Sequence, residues 1–235
     1  MANQSVRSIA SNCLGKSVPL SVLEDIFGVY GDNPQPRSLK DQLDWIQNKP
    51  FVRIALVTIQ GATPNLQRDL DNANTVYRNE CDAWVYCVGS QTVNRSHLLW
   101  LDQDDCLASG HSVSDEEDEL FDLGRDMGAD IVCYYISGHG SWAGCAAHPA
   151  DRRGFWVGRP ATPIVAGSSP LTFAHEMTHV VGDNLHCGDD PSCAANDTDN
   201  LMYRGGTGNI TNLPPDLTSS QRTRILNDPD VEECG

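Results

Sequence analysis

The sequence predicts an α/β fold in which helices back a twisted mixed sheet. Three observations support this class. Strand-like and helical segments alternate over residues 51–181, and the first strand, at 51–60, is almost entirely apolar, as is typical of a strand covered on both faces. At 235 residues the chain is also long enough to bury a substantial core. We expect a helical extension at 1–50, an upper subdomain at 51–182 and a small irregular lower subdomain at 183–235.

Local patterns predict the elements in order along the chain. A helix opens at Thr63-Pro64, because proline suits the first helical turn. Ser114 and Glu117 form a capping box that begins an acidic helix reaching about Met127. The remaining expected elements are short helices at 19–27 and 38–47, strands at 82–88, 98–101, 129–136 and 154–158, and helices at 169–181 and 218–226.

Composition favours an exported globular protein. Nine cysteines indicate disulfides and an oxidising compartment, and a local bridge between Cys187 and Cys193 would close a short loop. The formal net charge of −16 argues against nucleic-acid binding. No apolar run approaches the roughly 20 residues of a membrane span. The first residues lack the apolar core of a signal peptide, so we expect secretion after loss of an upstream signal and pro-segment, or by a leaderless route.

The most informative segment is residues 175–186, HEMTHVVGDNLH. A helix places His175 and His179 on one face, because they are four residues apart, and both can then bind one Zn²⁺. Glu176 lies next to the first histidine, where its carboxylate can reach a water bound to the metal. Gly182 can end the helix in the left-handed conformation, so that the chain turns back and offers His186 as a third ligand.

This segment resembles the metzincin clan of zinc endopeptidases, which has the pattern HExxHxxGxxH followed by a tight turn bearing a methionine beneath the zinc. The residues His175, Glu176, His179 and Gly182 match the pattern position by position. Met202, in the sequence NLMY, matches the methionine turn. The resemblance implies a twisted mixed sheet, an active-site helix and a small irregular C-terminal lobe.

The resemblance is close over about residues 170–203, and a weaker topological likeness extends back to about residue 51. One departure affects the third ligand. The family has two residues between the glycine and the third histidine, whereas three, DNL, separate Gly182 from His186. Two alternatives follow: His186 binds zinc on a longer loop, or Asp183 takes its place. We favour His186, because a small turn can bring it to the zinc, whereas Asp183 would have to reach sideways with a short side chain.

The implied activity is hydrolysis of peptide bonds in a protein or peptide substrate, with one catalytic zinc and Glu176 as general base. In the family, substrate pairs with an edge strand above the cleft. The glycine-rich segment at 137–147 lies at about that point of the chain, although a bare loop is the alternative. By resemblance we expect substrate to bind along Gly140, Ser141, Trp142, Ala143 and Gly144.

Two other function classes remain open. One is an exported toxin or effector peptidase that acts on a single host protein. The other is an inactive zinc-binding module of the same fold, against which the intact Glu176 argues. Calcium is conceivable because aspartates cluster at 102–105 and 189–199, but neither segment has the spacing of an EF-hand and nothing else supports it.

Overall fold

A computed structural model of the chain describes four stretches: residues 49–102, 112–139, 142–160 and 169–233. Within them, Phe51–Val231 forms one compact unit. The helices expected at 19–27 and 38–47 lie outside the described residues, and the division into an extension and two subdomains stays a prediction. No helix in the described stretches is long and apolar enough to cross a membrane.

A six-stranded mixed sheet forms the centre of this unit. Its strands are β1 (Phe51–Ile59), β2 (Trp84–Val93), β3 (Trp100–Leu101), β4 (Ile131–His139), β5 (Gly144–Cys145) and β6 (Gly154–Pro160). The strand order is β2-β1-β4-β6-β5, and β3 pairs with the end of β4. All pairings are parallel except the last, in which the short edge strand β5 runs antiparallel to β6. The predicted α/β class with a mixed sheet is therefore confirmed.

Strand β1 is central and buried on both faces, as its apolar sequence predicts. Ile54 lies opposite Ile131 of β4 on one side of the strand. Alternate side chains enter two apolar clusters, because successive residues of a strand point to opposite faces. Ile54 and Leu56 belong to one cluster, and Ala55 and Val57 belong to the other.

Four helices pack around the sheet in the described stretches: α1 (Leu66–Cys81), α2 (Asp115–Asp122), α3 (Thr172–Val180) and α4 (Ser219–Leu226). Single 3₁₀ turns lie at Ser96–Leu99 and Thr207–Asn209. The capping box of Ser114 and Glu117 is present, as expected. Helix α2 ends earlier than predicted. The physical reason lies at Gly124, where an added Cβ would be 2.5 Å from the Tyr134 hydroxyl, so the chain must turn close to β4 there.

Other boundaries also differ from the expectation. Helix α1 begins at Leu66, because the Asn65 side chain caps it, so Pro64 lies before the helix and not in its first turn. Strand β2 continues to Val93, because it keeps its pairing with β1 along its whole length, past a bulge at Ile54/Ala55. Its last residues alternate between exposed and partly buried positions and include polar side chains. The apolar content of the sequence therefore predicted too short a strand. Helix α3 begins at Thr172 rather than at 169.

Helix α3 is the element that positions the candidate site. Eight of its nine residues are buried, and only His179 is partly exposed. It packs against α1 and β6 on the sheet side, where Phe173 meets Phe155 edge-on with ring centroids 5.1 Å apart. The chain beyond α3 is irregular up to α4, in agreement with the loop-rich C-terminal part that the sequence predicts.

Candidate metal centre

The side chains of His175, His179 and His186 converge on one point. The Nε2 atoms of His175 and His186 are 3.2 Å apart, and the Nε2 atom of His179 is 3.3 Å from each of them. Three nitrogens bound tetrahedrally to one Zn²⁺ at about 2.0–2.1 Å would lie roughly 3.3–3.4 Å apart. The spacing of the three nitrogens therefore matches that of three histidine ligands on one metal ion of this size.

Backbone carbonyl groups orient two of these imidazoles. His175 donates from Nδ1 to the Leu201 carbonyl oxygen at 2.7 Å, and His179 donates from Nδ1 to the Asn184 carbonyl oxygen at 2.6 Å. An Nδ1 proton held in this way leaves the lone pair of Nε2 directed toward the centre. Metal ligation requires the neutral imidazole with this nitrogen free.

Burial keeps all three imidazoles uncharged at neutral pH. It lowers the pKa of His175 to about 4, despite the opposing hydrogen bond to Leu201. Burial likewise lowers the pKa of His179 well below its ordinary value and lowers that of His186. Because proton binding competes with metal binding, uncharged histidines favour metal uptake at neutral pH.

The third position of the triangle belongs to His186 rather than Asp183. Asp183 is exposed and lies outside the histidine cluster. Two successive residues with positive φ, Gly182 at 84° and Asp183 at 48°, turn the chain after the helix. This turn accommodates the additional residue of the loop, so that His186 still returns to the centre.

Gly182 is required for two separate reasons. Its positive φ is unfavourable for residues with a side chain. An added Cβ would also lie 2.7 Å from the backbone of Arg224 and Ile225 in α4. The backbone N–H of Gly182 donates to an Asp228 carboxylate oxygen at 2.6 Å, which ties the helix end to the segment after α4. The sequence predicted only the positive φ of Gly182 and not its close approach to α4.

Glu176 follows His175 on α3, and its side chain lies against the edge strand. Its side chain is only 9% exposed, and the structure gives its carboxylate no hydrogen-bond partner within the described stretches. Burial raises the pKa of Glu176 to about 8. An added Cβ on Gly144 of β5 would lie 2.6 Å from Cγ and 2.8 Å from Oε1 of Glu176. The edge strand can approach this carboxylate so closely because residue 144 is glycine.

The structure describes three of the five residues that are expected to line substrate. Gly144 lies in the edge strand, and the Ala143 carbonyl accepts a hydrogen bond from the Gly158 N–H at 2.9 Å. Trp142 is 49% exposed. Gly140 and Ser141 lie outside the described residues. Contact with substrate stays a prediction for all five.

A tight turn at 200–203 lies beneath His175. Leu201 supplies the carbonyl that orients His175, and the fully buried Met202 follows it. Asn200 holds the turn, because its side-chain Oδ1 accepts from the Met202 N–H at 2.9 Å and its carbonyl accepts from Tyr203. The assignment of this segment as a methionine turn and a role of Met202 toward the metal both stay predictions.

The expected bridge between Cys187 and Cys193 is present and confirms the local pairing. It closes the loop directly after His186. The Cys187 N–H also donates to the Met202 carbonyl at 2.8 Å, so the loop and the turn at 200–203 support each other. Sequence reasoning did not identify Asn184, Arg224 or their contacts, which join residues distant along the chain.

Comparison of the chain with models of known protein families and with curated proteins found no match. The structure itself defines the class of site. Three histidines, two of them with HExxH spacing, lie at metal-binding distance from one another in a mixed α/β fold. Such a site is compatible with a zinc hydrolase.

Proposed function

We propose that this protein is a zinc-dependent endopeptidase, secreted from its cell, that hydrolyses peptide bonds with one zinc ion held by His175, His179 and His186. The observation that carries the proposal is the triangle of Nε2 atoms, 3.2–3.3 Å on each side. Glu176 follows the first of these histidines on α3, and its side chain is buried against Gly144 of the edge strand. The disulfide between Cys187 and Cys193 supports an oxidising, extracellular location.

Bound zinc supplies Lewis acidity, which polarises a carbonyl group and activates water. Glu176 accepts a proton from the attacking water and passes it to the leaving amine. Burial by itself raises the pKa of Glu176, and a Zn²⁺ ion held by the neighbouring histidines would favour the charged carboxylate that can accept a proton. The three histidines remain neutral ligands, two of them held by backbone carbonyls.

Substrate backbone pairs with the outer edge of β5 at Gly144, and residues 140–143, which precede this strand in the sequence, remain the predicted continuation of the contact. The position of β5 supports this proposal, since among the described residues it is the last strand of the sheet and pairs with β6 on one side only. A peptide on the outer edge would run past Glu176, because the backbone of Gly144 lies against that side chain. The exposed Trp142 provides an apolar surface for a substrate side chain at the end of the strand.

Metal analysis combined with cleavage of a peptide library tests the proposal. We expect one zinc per chain, and we expect a chelator to abolish cleavage. Glu176→Gln should retain the zinc and lose about 10²–10⁴-fold in turnover, the usual contribution of a general base. His97→Ala is the matched control, because His97 is an exposed histidine paired with Glu119.

The outcomes separate the alternatives. A chain without zinc whose activity survives chelation would remove the zinc mechanism. A chain that binds zinc but cleaves nothing in the library, with Glu176→Gln indistinguishable from the parent, would indicate an inactive binding module. An effector peptidase shares this chemistry, and cleavage of one folded protein in preference to the whole peptide library would indicate it.

A further inference from the structure

In the loop that carries His186, a buried polar residue lies on each side of this histidine. Residues 181–206 contain no helix or longer strand, yet Asn184 is 1% exposed and Asp190 is 2% exposed. Buried polar side chains are costly unless their hydrogen bonds are satisfied. The partners of these two residues therefore show what holds the loop in place.

Asn184 connects the loop to His179. Its backbone carbonyl accepts the Nδ1 proton of His179, and its side-chain amide donates to the carbonyls of Thr178 and Val181 at 3.3 and 3.1 Å. These carbonyls lie at the end of α3, where helical partners are lacking. The remaining acceptor of Asn184, Oδ1, receives a hydrogen bond from Nε of Arg224 at 2.9 Å.

Asp190 connects the other side of the loop to His186. Its backbone N–H donates to the His186 carbonyl at 2.9 Å, and its carboxylate accepts from the Ser192 N–H at 2.8 Å. The same carboxylate forms an ion pair with the second arm of the Arg224 guanidinium. Burial acts to raise the pKa of Asp190, but hydrogen bonds from Ser192 and Arg224 outweigh it and leave that pKa lowered.

We propose that Arg224, in the C-terminal helix α4, is a positioning residue for the metal centre. Its guanidinium bridges Asn184 and Asp190, which lie on the two sides of His186 and which contact His179 and His186 respectively. This inference rests on the proposed metal-binding function. Arg224 is 40 positions from Asn184 in the ligand loop, and it sets the geometry of two ligands without touching the metal.

The shape of the guanidinium explains why arginine occupies this position. Nε and a terminal nitrogen of one rigid, planar group face two different acceptors, whereas a lysine ammonium is a point charge on a flexible stem. The backbone of Arg224 also lies against Gly182, where an added Cβ would be 2.7 Å away. The backbone of α4 thus contacts the turn after α3, and the Arg224 side chain contacts the ligand loop.

The same contacts explain how a loop with one extra residue delivers its histidine. Asn184 is the middle residue of the three between Gly182 and His186. Because its side chain is buried and bonded at both ends of the amide, the loop is anchored at its midpoint. His186 therefore starts from a fixed position rather than from a flexible span.

Zinc affinity of the full-length chain, measured by competition with a chromophoric chelator, tests this role. Arg224→Met retains most of the aliphatic stem and removes the donors to Asn184 and Asp190, together with the bond from Nη1 to the Ser220 hydroxyl on the same helix. We expect about a tenfold or greater loss of affinity, as is usual for outer partners of metal ligands. Arg224→Lys should lose less, because an ammonium can reach one acceptor but not both. Arg222→Met is the matched control, since Arg222 lies on the same helix but pairs with Glu80.

The visible spectrum of the Co²⁺-substituted protein provides a readout that a merely structural role would not move. We expect the spectrum to change in both Arg224 variants and to stay unchanged in Arg222→Met, even if all three lose thermal stability. Parental affinity and spectrum in the Arg224 variants, or the same loss in Arg222→Met, would overturn the proposal. If Arg224→Met does not fold, Arg224→Lys decides by the same criteria. Failure of the parent chain to bind zinc would instead refute the proposed function.

Discussion

The two sides of the metal centre are built in different ways. His175 and His179 lie on α3, whose backbone hydrogen bonds set the spacing between them. This helix is buried on nearly all sides. His186 lies on an irregular loop, which a disulfide, backbone hydrogen bonds and side chains of α4 hold in place. Local geometry therefore sets the spacing of the helical pair, although the distant Leu201 carbonyl orients His175. The position of the third ligand depends on contacts between distant parts of the chain.

Removing the loop ligand is the strongest test of this difference. We expect His186→Ala to lower zinc affinity by more than about 100-fold, which is the upper range for loss of an outer partner. Asp183→Ala should leave zinc affinity nearly unchanged, because Asp183 is exposed and lies outside the cluster. Chelator competition on both variants measures the effect. A larger loss in Asp183→Ala than in His186→Ala would reverse the assignment of the third ligand.

The approach of the edge strand to the helix gives the next largest effect. Gly144→Ala would place a Cβ 2.6 Å from Cγ of Glu176, so the carboxylate or the strand must move. We expect kcat/KM to fall roughly 100-fold, since a displacement of about 1 Å can have that effect, while zinc content stays at the parental level. Gly89→Ala is the control, because an added Cβ there meets nothing within 4 Å. Parental kinetics in Gly144→Ala would show that the strand does not constrain Glu176.

Gly182 joins the two sides, and its substitution should destabilise the fold. Gly182→Ala combines an unfavourable positive φ with a contact of 2.7 Å to the backbone of α4. We expect the free energy of unfolding to fall by about 1–3 kcal/mol, the usual range for local backbone strain. Denaturant unfolding measures it, with Gly208→Ala as the control in the same irregular region, where an added Cβ meets nothing. Equal stability of the two variants would contradict the close approach.

The smallest expected effect is a dependence on pH at the helix end. Burial acts to raise the pKa of Asp228, but hydrogen bonds from Arg153 and from the N–H groups of Asp230 and Gly182 outweigh it and leave this pKa lowered. A carboxylate with a lowered pKa stabilises the fold above its ordinary pKa, about 3.8–3.9, and this contribution is lost as the pH falls below that value.

We therefore expect Asp228→Asn to be less stable than the parent at pH 7, with a difference that shrinks as the pH falls toward about 3. Denaturant unfolding at several pH values measures the difference. Asp151→Asn is a control, because Asp151 is exposed at the surface. A stability difference that does not change with pH would show that the charge of Asp228 is not what ties Arg153 to the helix end.

Several parts of the fold were predictable because they depend on local patterns. The apolar run of β1, the capping box at Ser114 and the final helix all have the predicted positions. The errors lie where tertiary contacts overrule local preference. Helix α2 stops early because Gly124 must approach Tyr134, and β2 extends because pairing with β1 continues past the apolar segment.

At the site, local sequence patterns were sufficient to predict which imidazoles share one face of a helix, where the helix turns, and that a further histidine follows closely. These are properties of helical periodicity and of glycine, which act over a few residues. Packing of distant segments determines that His186 joins the pair, that the Leu201 carbonyl orients His175, that Gly144 lies against Glu176, and that Arg224 contacts the ligand loop. Hydrogen bonds and close approaches between segments tens of residues apart leave no periodic trace in a sequence, because they are defined only once the sheet, α3 and α4 have packed together.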